Sequence, residues 1–315
     1  MKRLPLVLMI GWLVAGCGKK FPLPEESNEG MPSEKEYVEI QNTRWDSLTF
    51  SGGILDVLLG EDGYVYVLSS DTLFKYTITG EDGNVFAVLD GAVSVSQDID
   101  ENIYIESSQG LVVKYSWDGS VLDTFDFSFL CQDSTLKDTF LTSIDAIEND
   151  HFVLSSAPLN LVIRFYQDSI DTVATYGTGI EYTRSPHGVY ASKRKGIVLY
   201  ASSKNNWVEG LALLPPHFSM IHLGGDSYDG GTSDTLFLNP VDVAMDDSSC
   251  VYVLDKGNKA MKKFSYDGDI VSVLHLSDYP VAISVSHDGK TLYIGFENRI
   301  RKYKLPEIPG EGGEQ

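Results

Sequence analysis

Residues 239–276 read NPVDVAMDDSSCVYVLDKGNKAMKKFSYDGDIVSVLHL. Pro240 opens an apolar run, Val241 to Met245, that stops at Asp246-Asp247-Ser248-Ser249, a cluster of turn formers. Cys250 to Leu254 follows, dominated by β-branched and aromatic residues that suit a strand. Asp255-Lys256-Gly257-Asn258 turns the chain into a third strand ending at Lys263-Phe264, and Asp267-Gly268 is a hairpin signal before a fourth, Ile270 to Leu274. Four short antiparallel strands cannot bury both faces of their own sheet. The unit needs copies of itself.

The rest of the chain supplies them. A basic-aromatic doublet closing the third strand recurs as Lys75-Tyr76, Lys114-Tyr115, Arg164-Phe165, Lys263-Phe264 and Lys302-Tyr303, with a spacing of 39 residues between the first two and between the last two. Second strands carry their own aromatic at Tyr66, Tyr104, Phe152, Tyr200, Tyr252 and Tyr293. The gap of 99 residues from Phe165 to Phe264 holds one more unit without the doublet, Ser185 to Gly224, whose third strand is expected around Leu211–Leu214. Six units of four strands at a period near forty specify an all-β fold, a six-bladed β-propeller. After Lys302-Tyr303 the next hairpin is replaced by Pro306, Pro309 and a Gly/Glu tail, so the last blade has three strands of its own. Its missing outer strand is expected from the N-terminal side, from Trp45–Phe50 or Tyr37–Ile40, which closes the ring.

With its Pro-x-x-Val-Ala opening, Val-Tyr-Val-x-Asp second strand, Gly-Asn turn and Lys-Phe doublet, the 239–276 stretch resembles an NHL repeat. The resemblance is strong there, fair in blades 1, 2 and 6, and weak in blade 4; it implies a six-bladed propeller over the region 37–305.

Ahead of the propeller, residues 1–16 read as an export signal: Lys2 and Arg3, then an apolar stretch from Leu4 to Ala15 that is too short to span a bilayer. Leu13-Val14-Ala15-Gly16-Cys17 resembles a bacterial lipobox, which implies lipidation of Cys17 and a membrane anchor. Gly18 rather than Asp after the cysteine implies, by the Gram-negative pattern, the outer membrane. Residues 17–36, rich in Pro, Glu, Ser and Gly, are expected to form a flexible tether with a reach of roughly 25 Å, and residues 306–315 a disordered tail.

The formal charge is −21, and −23 once Lys2 and Arg3 are removed with the signal. Such a surface repels nucleic acid and anionic lipid and excludes nucleic-acid binding, while suiting basic proteins or cations. Cys131 and Cys250 fall in different blade sectors, too far apart to bridge.

Propeller topology places four insertions on one rim: Ser128–Leu141, Gly177–Arg184, Ser203–Gly210 and Gly224–Leu238. Long loops gathered on a rigid scaffold are where binding sites form. These carry Tyr182, Arg184, Asn205, Asn206, Trp207, Asp226, Tyr228 and Asp229. An exposed Trp207 flanked by amides suits a sugar ring or peptide side chain. Gly224-Gly225-Asp226 with Asp229-Gly230-Gly231 suggests a Ca²⁺ loop, but lacks the alternating Asp ladder of an EF-hand.

His187 follows Pro186 where the fourth blade meets the channel, and the Pro-His-Gly opening resembles that of peptidylglycine amidating lyase, whose histidine binds zinc. The equivalent residues elsewhere (Leu55, Val93, Ile144, Val241 and Val281) cannot ligate zinc, so that constellation is not reproduced. One residue further on, alternate blades place Asp56, Asp145 and Asp242, which either hold a channel cation or cap backbone amides. The expectation is a monomeric, lipid-anchored, non-catalytic binding module of the cell envelope, with a protein or glycan partner on the rim over blades 3–5. The alternative is a metal-dependent hydrolase or lyase at the channel.

Overall fold

The computed structural model describes residues 36–41, 43–131, 140–177, 182–225 and 230–305. The signal segment with Cys17, nearly all of the tether, and the tail lie outside the described residues.

Blade 1 is formed by Ile54–Leu59, Tyr64–Ser69, Thr72–Thr77 and Asn84–Val88, and blade 2 by Ala92–Gln97, Ile103–Ser107, Leu111–Tyr115 and Val121–Asp126. Ser143–Glu148, His151–Ser156, Leu161–Tyr166 and Ser169–Tyr176 make blade 3. In blade 4 the strands are Pro186–Ser192, Ile197–Ser202, Trp207–Ala212 and Ser219–Gly224. Pro240–Met245, Val251–Asp255, Ala260–Phe264 and Ile270–His275 build blade 5, and Ala282–Val285, Thr291–Gly295 and Ile300–Lys304 begin blade 6. Successive strands pair antiparallel in every blade. The six first strands touch one another in ring order around the axis, blade 6 returning to blade 1. This is a closed six-bladed propeller.

Closure comes from Val38–Glu39, which pairs antiparallel with the last strand (Val38 opposite Lys304, Glu39 opposite Tyr303). Of the two expected segments, Tyr37–Ile40 therefore supplies the outer strand, and Trp45–Phe50 does not. Arg44–Ser47 is a turn of 3-10 helix instead. Its Trp45 is buried against Tyr76 of blade 1 and Tyr293 of blade 6, with Nε1 donating to the Ile78 carbonyl at 3.2 Å. A side chain that large gains more between two sheets than along an exposed edge.

Each seam between adjacent blades holds one apolar cluster, as sheets with two buried faces require. The register explains the doublets. Lys75, Lys114, Lys263 and Lys302 stand directly across from the second-strand tyrosines Tyr66, Tyr104, Tyr252 and Tyr293. Each ammonium lies 5.1–5.5 Å from its tyrosine ring, a cation–π contact that shields a buried aromatic at the sheet's end. Blade 3 departs because Phe152 pairs with Phe165 itself, and the two rings stack at 5.0 Å.

Two details of blades 3 and 4 differ from the sequence reading. Blade 3 gains a fifth strand, Tyr182–Thr183, parallel to Thr175–Tyr176 on its outer edge. The third strand of blade 4 is Trp207–Ala212 rather than Leu211–Leu214, so the expected insertion Ser203–Gly210 shrinks to a four-residue turn, 203–206.

Candidate functional site

The inner strands set the geometry of the channel wall. In blades 1, 2, 4 and 5 the register slips near the start of the first strand, which re-aims the residues there. Asp56 is one of them: its Oδ2 accepts the Val95 amide (2.9 Å) and the Ser94 hydroxyl (2.7 Å) of blade 2, and Oδ1 its neighbour Val57 amide at 2.8 Å. Asp145 of blade 3 accepts the Ala191 amide of blade 4 at 2.6 Å and the Ser96 hydroxyl of blade 2 at 2.8 Å. Asp242 of blade 5 accepts the Ile283 amide of blade 6 at 2.8 Å. Serines do the same work elsewhere: Ser96 Oγ accepts the Ala146 amide, and Ser284 Oγ the Leu59 amide across the closing seam.

The three aspartates thus staple blade 1 to 2, blade 3 to 2 and 4, and blade 5 to 6. Among the described residues no group of three or more His, Cys, Asp or Glu is arranged to hold a metal. Each carboxylate accepts an amide of the neighbouring blade, the amide-capping arrangement that the sequence reading set beside a channel cation. Burial among protein atoms lifts Asp56 to about 6 and Asp145 to about 7, against the hydrogen bonds that favour their ionised forms. Burial and then the Asp56 charge push Asp242 well up.

Glu106 was not singled out from the sequence. It is fully buried on the second strand of blade 2, across from Ser94, and neither carboxylate oxygen meets a hydrogen-bond partner among the described residues. Desolvation, then the Asp56 charge, raises its pKa well above the ordinary range. A signal was present: two residues after the second-strand aromatic the other blades have Leu68, Leu154, Ser202, Leu254 and Gly295.

His187 sits in the bulge of blade 4's inner strand. Its Nδ1 lies 2.9 Å from the Ser185 carbonyl and 3.2 Å from Ser203 Oγ, which selects the tautomer protonated at Nδ1 and leaves Nε2 as the basic nitrogen. Burial lowers its pKa, and the charges of Lys256 and Lys204 add to that, so the ring is neutral at pH 7. Its own carbonyl accepts the Ser155 hydroxyl of blade 3 at 2.6 Å. Arg184 runs beside this turn, its carbonyl accepting the Lys204 amide at 3.2 Å. Lys204 and Lys256 therefore act on His187 at the rim of blades 4 and 5, where Arg184 adjoins Lys204 through the backbone. No ion pair is made by Arg184, Lys204 or Lys256 among the described residues. Lys204 and Lys256 were missed in the sequence because basic turn residues look like ordinary surface.

The remaining rim candidates separate. Trp207 is 3% exposed, the first residue of a buried strand, with its ring 5.4 Å from that of His222. It packs the sheet and presents no face to a ligand, which corrects its reading as an exposed platform. Asn205 is fully buried, with neither side-chain atom hydrogen-bonded among the described residues. Asn206 Oδ1 accepts the Asn239 amide at 2.8 Å and ties the turn to the start of blade 5. Tyr182 stands away on the outer flank, beside a cavity of 360 Å³ at the seam of blades 3 and 4. Asp226, Tyr228 and Asp229, and with them the Ca²⁺ loop, lie outside the described residues.

The sequence matches no protein-family model and no curated protein. Among solved structures the chain is similar to a gluconolactonase from Xanthomonas campestris, with a TM-score of 0.63, 11% identity, and coverage of 88% of this chain and 96% of that one. It is also similar to catalytically inactive virginiamycin B lyase from Staphylococcus aureus with quinupristin (TM-score 0.55, 11% identity, 80% of each chain). A structure of a nidogen/laminin complex matches at TM-score 0.57 and 14% identity over 74% of this chain and 85% of that one. At these identities the likeness shows the β-propeller fold alone, hosted by lyases, a gluconolactonase and propellers in protein complexes.

Proposed function

We propose that this chain is an NHL-like binding module of the bacterial cell envelope, anchored through a lipid on Cys17, that takes a protein or glycan partner on the rim over blades 3–5. The observation that carries it is the basic group at the mouth of blades 4 and 5. In a chain of formal charge −21, Lys204 and Lys256 both act on His187, Arg184 adjoins Lys204 through the backbone, and none of the three forms an ion pair among the described residues. Such a group suits the carboxylates or phosphates of a partner, and neutral His187 beside it adds a hydrogen-bonding face. The test is in-cell crosslinking of wild type against an Arg184→Glu/Lys204→Glu variant. Loss of the crosslinked partner with an unchanged melting temperature supports the reading; retention of the partner sinks it. Mass analysis of the N-terminal peptide and release of a Cys17→Ala variant into the soluble fraction test the anchor separately.

One observation favours a second reading, a hydrolase or lyase at the channel mouth. His187 is held by Ser185 and Ser203 in the posture of a general base, with Nε2 unprotonated. Two of the similar structures are a lyase and a gluconolactonase. Turnover of an aldonolactone or of quinupristin by wild type, lost in His187→Ala, would establish this reading over the first.

A further inference from the structure

On the rim opposite the basic group, the turns of blades 1 and 2 enclose a recess of about 520 Å³. Its outer wall is Trp117, at the tip of the turn between the third and fourth strands of blade 2 and 70% exposed. The turn is not free to drift. Gly119 adopts a φ of +85°, and a Cβ there would lie 2.9 Å from the Phe86 carbonyl of blade 1, so the hairpin tip is pressed onto the neighbouring blade. An indole held over a recess with most of its surface in water gives up apolar burial that its own fold could have provided.

The recess already shows how it treats a cation. Lys75 Nζ lies 4.2 Å from the centre of the Tyr64 ring and 5.1 Å from that of Tyr66, and pairs with Asp62 at 2.8 Å. That accounts for one carboxylate. Asp82, Glu101 and Asp118 also line the recess, and none forms an ion pair among the described residues. Asp118 accepts the Ser116 hydroxyl at 2.5 Å and the Ser120 amide at 3.0 Å, which fix its carboxylate beside Trp117. The carboxylates of Asp82 and Glu101 make no hydrogen bond among the described residues. The lining is thus three negative charges in excess, set around an aromatic face, with one intramolecular cation showing the binding mode.

We infer that this recess docks an arginine-bearing basic segment of a partner protein, the guanidinium lying over Trp117 and bridging the carboxylates of Asp82, Glu101 and Asp118. Guanidinium is favoured over ammonium because its plane stacks on an indole while its edge donates to two carboxylates at once. The site is distinct from the basic rim of blades 4 and 5, and its partner carries the opposite charge.

The probe is an acetylated Gly-Arg-Gly-Arg-Gly amide, titrated calorimetrically into the purified full-length protein at low and high salt. Trp117→Ala is expected to weaken binding about fivefold or more, and Asp82→Asn/Glu101→Gln about tenfold, with melting temperature unchanged. Tyr266→Ala and Asp267→Asn, at the corresponding turn of blade 5, leave affinity intact. Equal weakening by the blade 5 changes would show diffuse attraction to an acidic surface and overturn the proposal. Absence of binding at millimolar peptide would also overturn it, as would Trp117-dependent binding of a chito-oligosaccharide in place of the peptide.

Discussion

Replacing Glu106 by glutamine stabilises the propeller at neutral pH and leaves it nearly unchanged near pH 4. The side chain is fully buried, both oxygens lack hydrogen-bond partners among the described residues, and the Asp56 charge acts on it as well. Both influences favour the protonated form, so the folded state holds a proton that the unfolded chain releases above the ordinary Glu range. For a carboxyl raised in this way, stability is greatest below the unfolded pKa and falls as pH rises toward the folded one. Each pH unit over which the folded state keeps its proton after the unfolded chain has lost it costs about 1.4 kcal/mol. Glutamine carries no such linkage but is just as poorly hydrogen-bonded, so its advantage is about zero near pH 4 and grows as pH rises toward neutrality. Glu106→Leu removes the unsatisfied group as well, worth about 1–3 kcal/mol at every pH, and matches the Leu68, Leu154 and Leu254 that occupy the position in other blades. In a domain of this size a kcal/mol moves the midpoint by roughly 2–4 °C. Melting curves of the three proteins from pH 4 to pH 8 decide the matter. If Glu106→Gln lowers the melting temperature at pH 7, or the gap between wild type and variant does not change with pH, the carboxyl is ionised and partnered, and the reasoning fails.

Three further outcomes follow from the packing and the channel wall. Carbon-13 titration of the aspartate carboxyls should show Asp56 and Asp145 ionising near pH 6 and pH 7, well after the surface aspartates; midpoints near 4 for both would mean that water reaches the staples. Trp207→Ala should destabilise by about 3–5 kcal/mol in urea unfolding, because it empties a buried site between His222 and the blade 4 sheet; a loss under about 1 kcal/mol would return the residue to the surface. A chain shortened to begin at Gln41 loses Tyr37 and the closing strand, exposes the Ile300–Lys304 edge, and should melt lower and self-associate by light scattering; a stable monomer would show that closure contributes little.

What was legible in the sequence was whatever repeats. The doublets recur because each lysine stands opposite a buried tyrosine in register, so the same two residue types return at the same spacing. Closure was legible as a missing strand, but its source was ambiguous, since Trp45–Phe50 and Tyr37–Ile40 are both short and mixed. Tertiary burial of Trp45 in the seam, invisible to local pattern, decided between them. Blade 4 lacks the doublet, and there the third strand was placed four residues too late, which turned a core tryptophan into a loop tryptophan. The aspartates were found at the right positions because the repeat puts them in phase. The sequence leaves their role open, because an inner-strand carboxylate facing a cation and one facing the next blade's amide leave the same mark on it.

The candidate sites appear where the repeat is broken. A blade position is under the same packing demand in all six units, so a residue that departs from its five counterparts does so against that demand, and some local interaction or external partner must compensate. His187 departs from Leu55, Val93, Ile144, Val241 and Val281, and the structure shows its compensation in Ser185 and Ser203. Glu106 departs from neutral residues in every other blade and is not compensated among the described residues, which is why its proton is expected to carry the cost. Trp117 departs by its size: the corresponding turn position holds Ile78, Gln167 and Tyr266, and the indole is 70% exposed on a turn seated against blade 1. In a rigid ring whose aspartates are occupied in joining blades, new chemistry has little room on the inner wall and is pushed to the two rims. The two proposed sites follow that pattern, a basic group on one rim and an acidic, aromatic recess on the other.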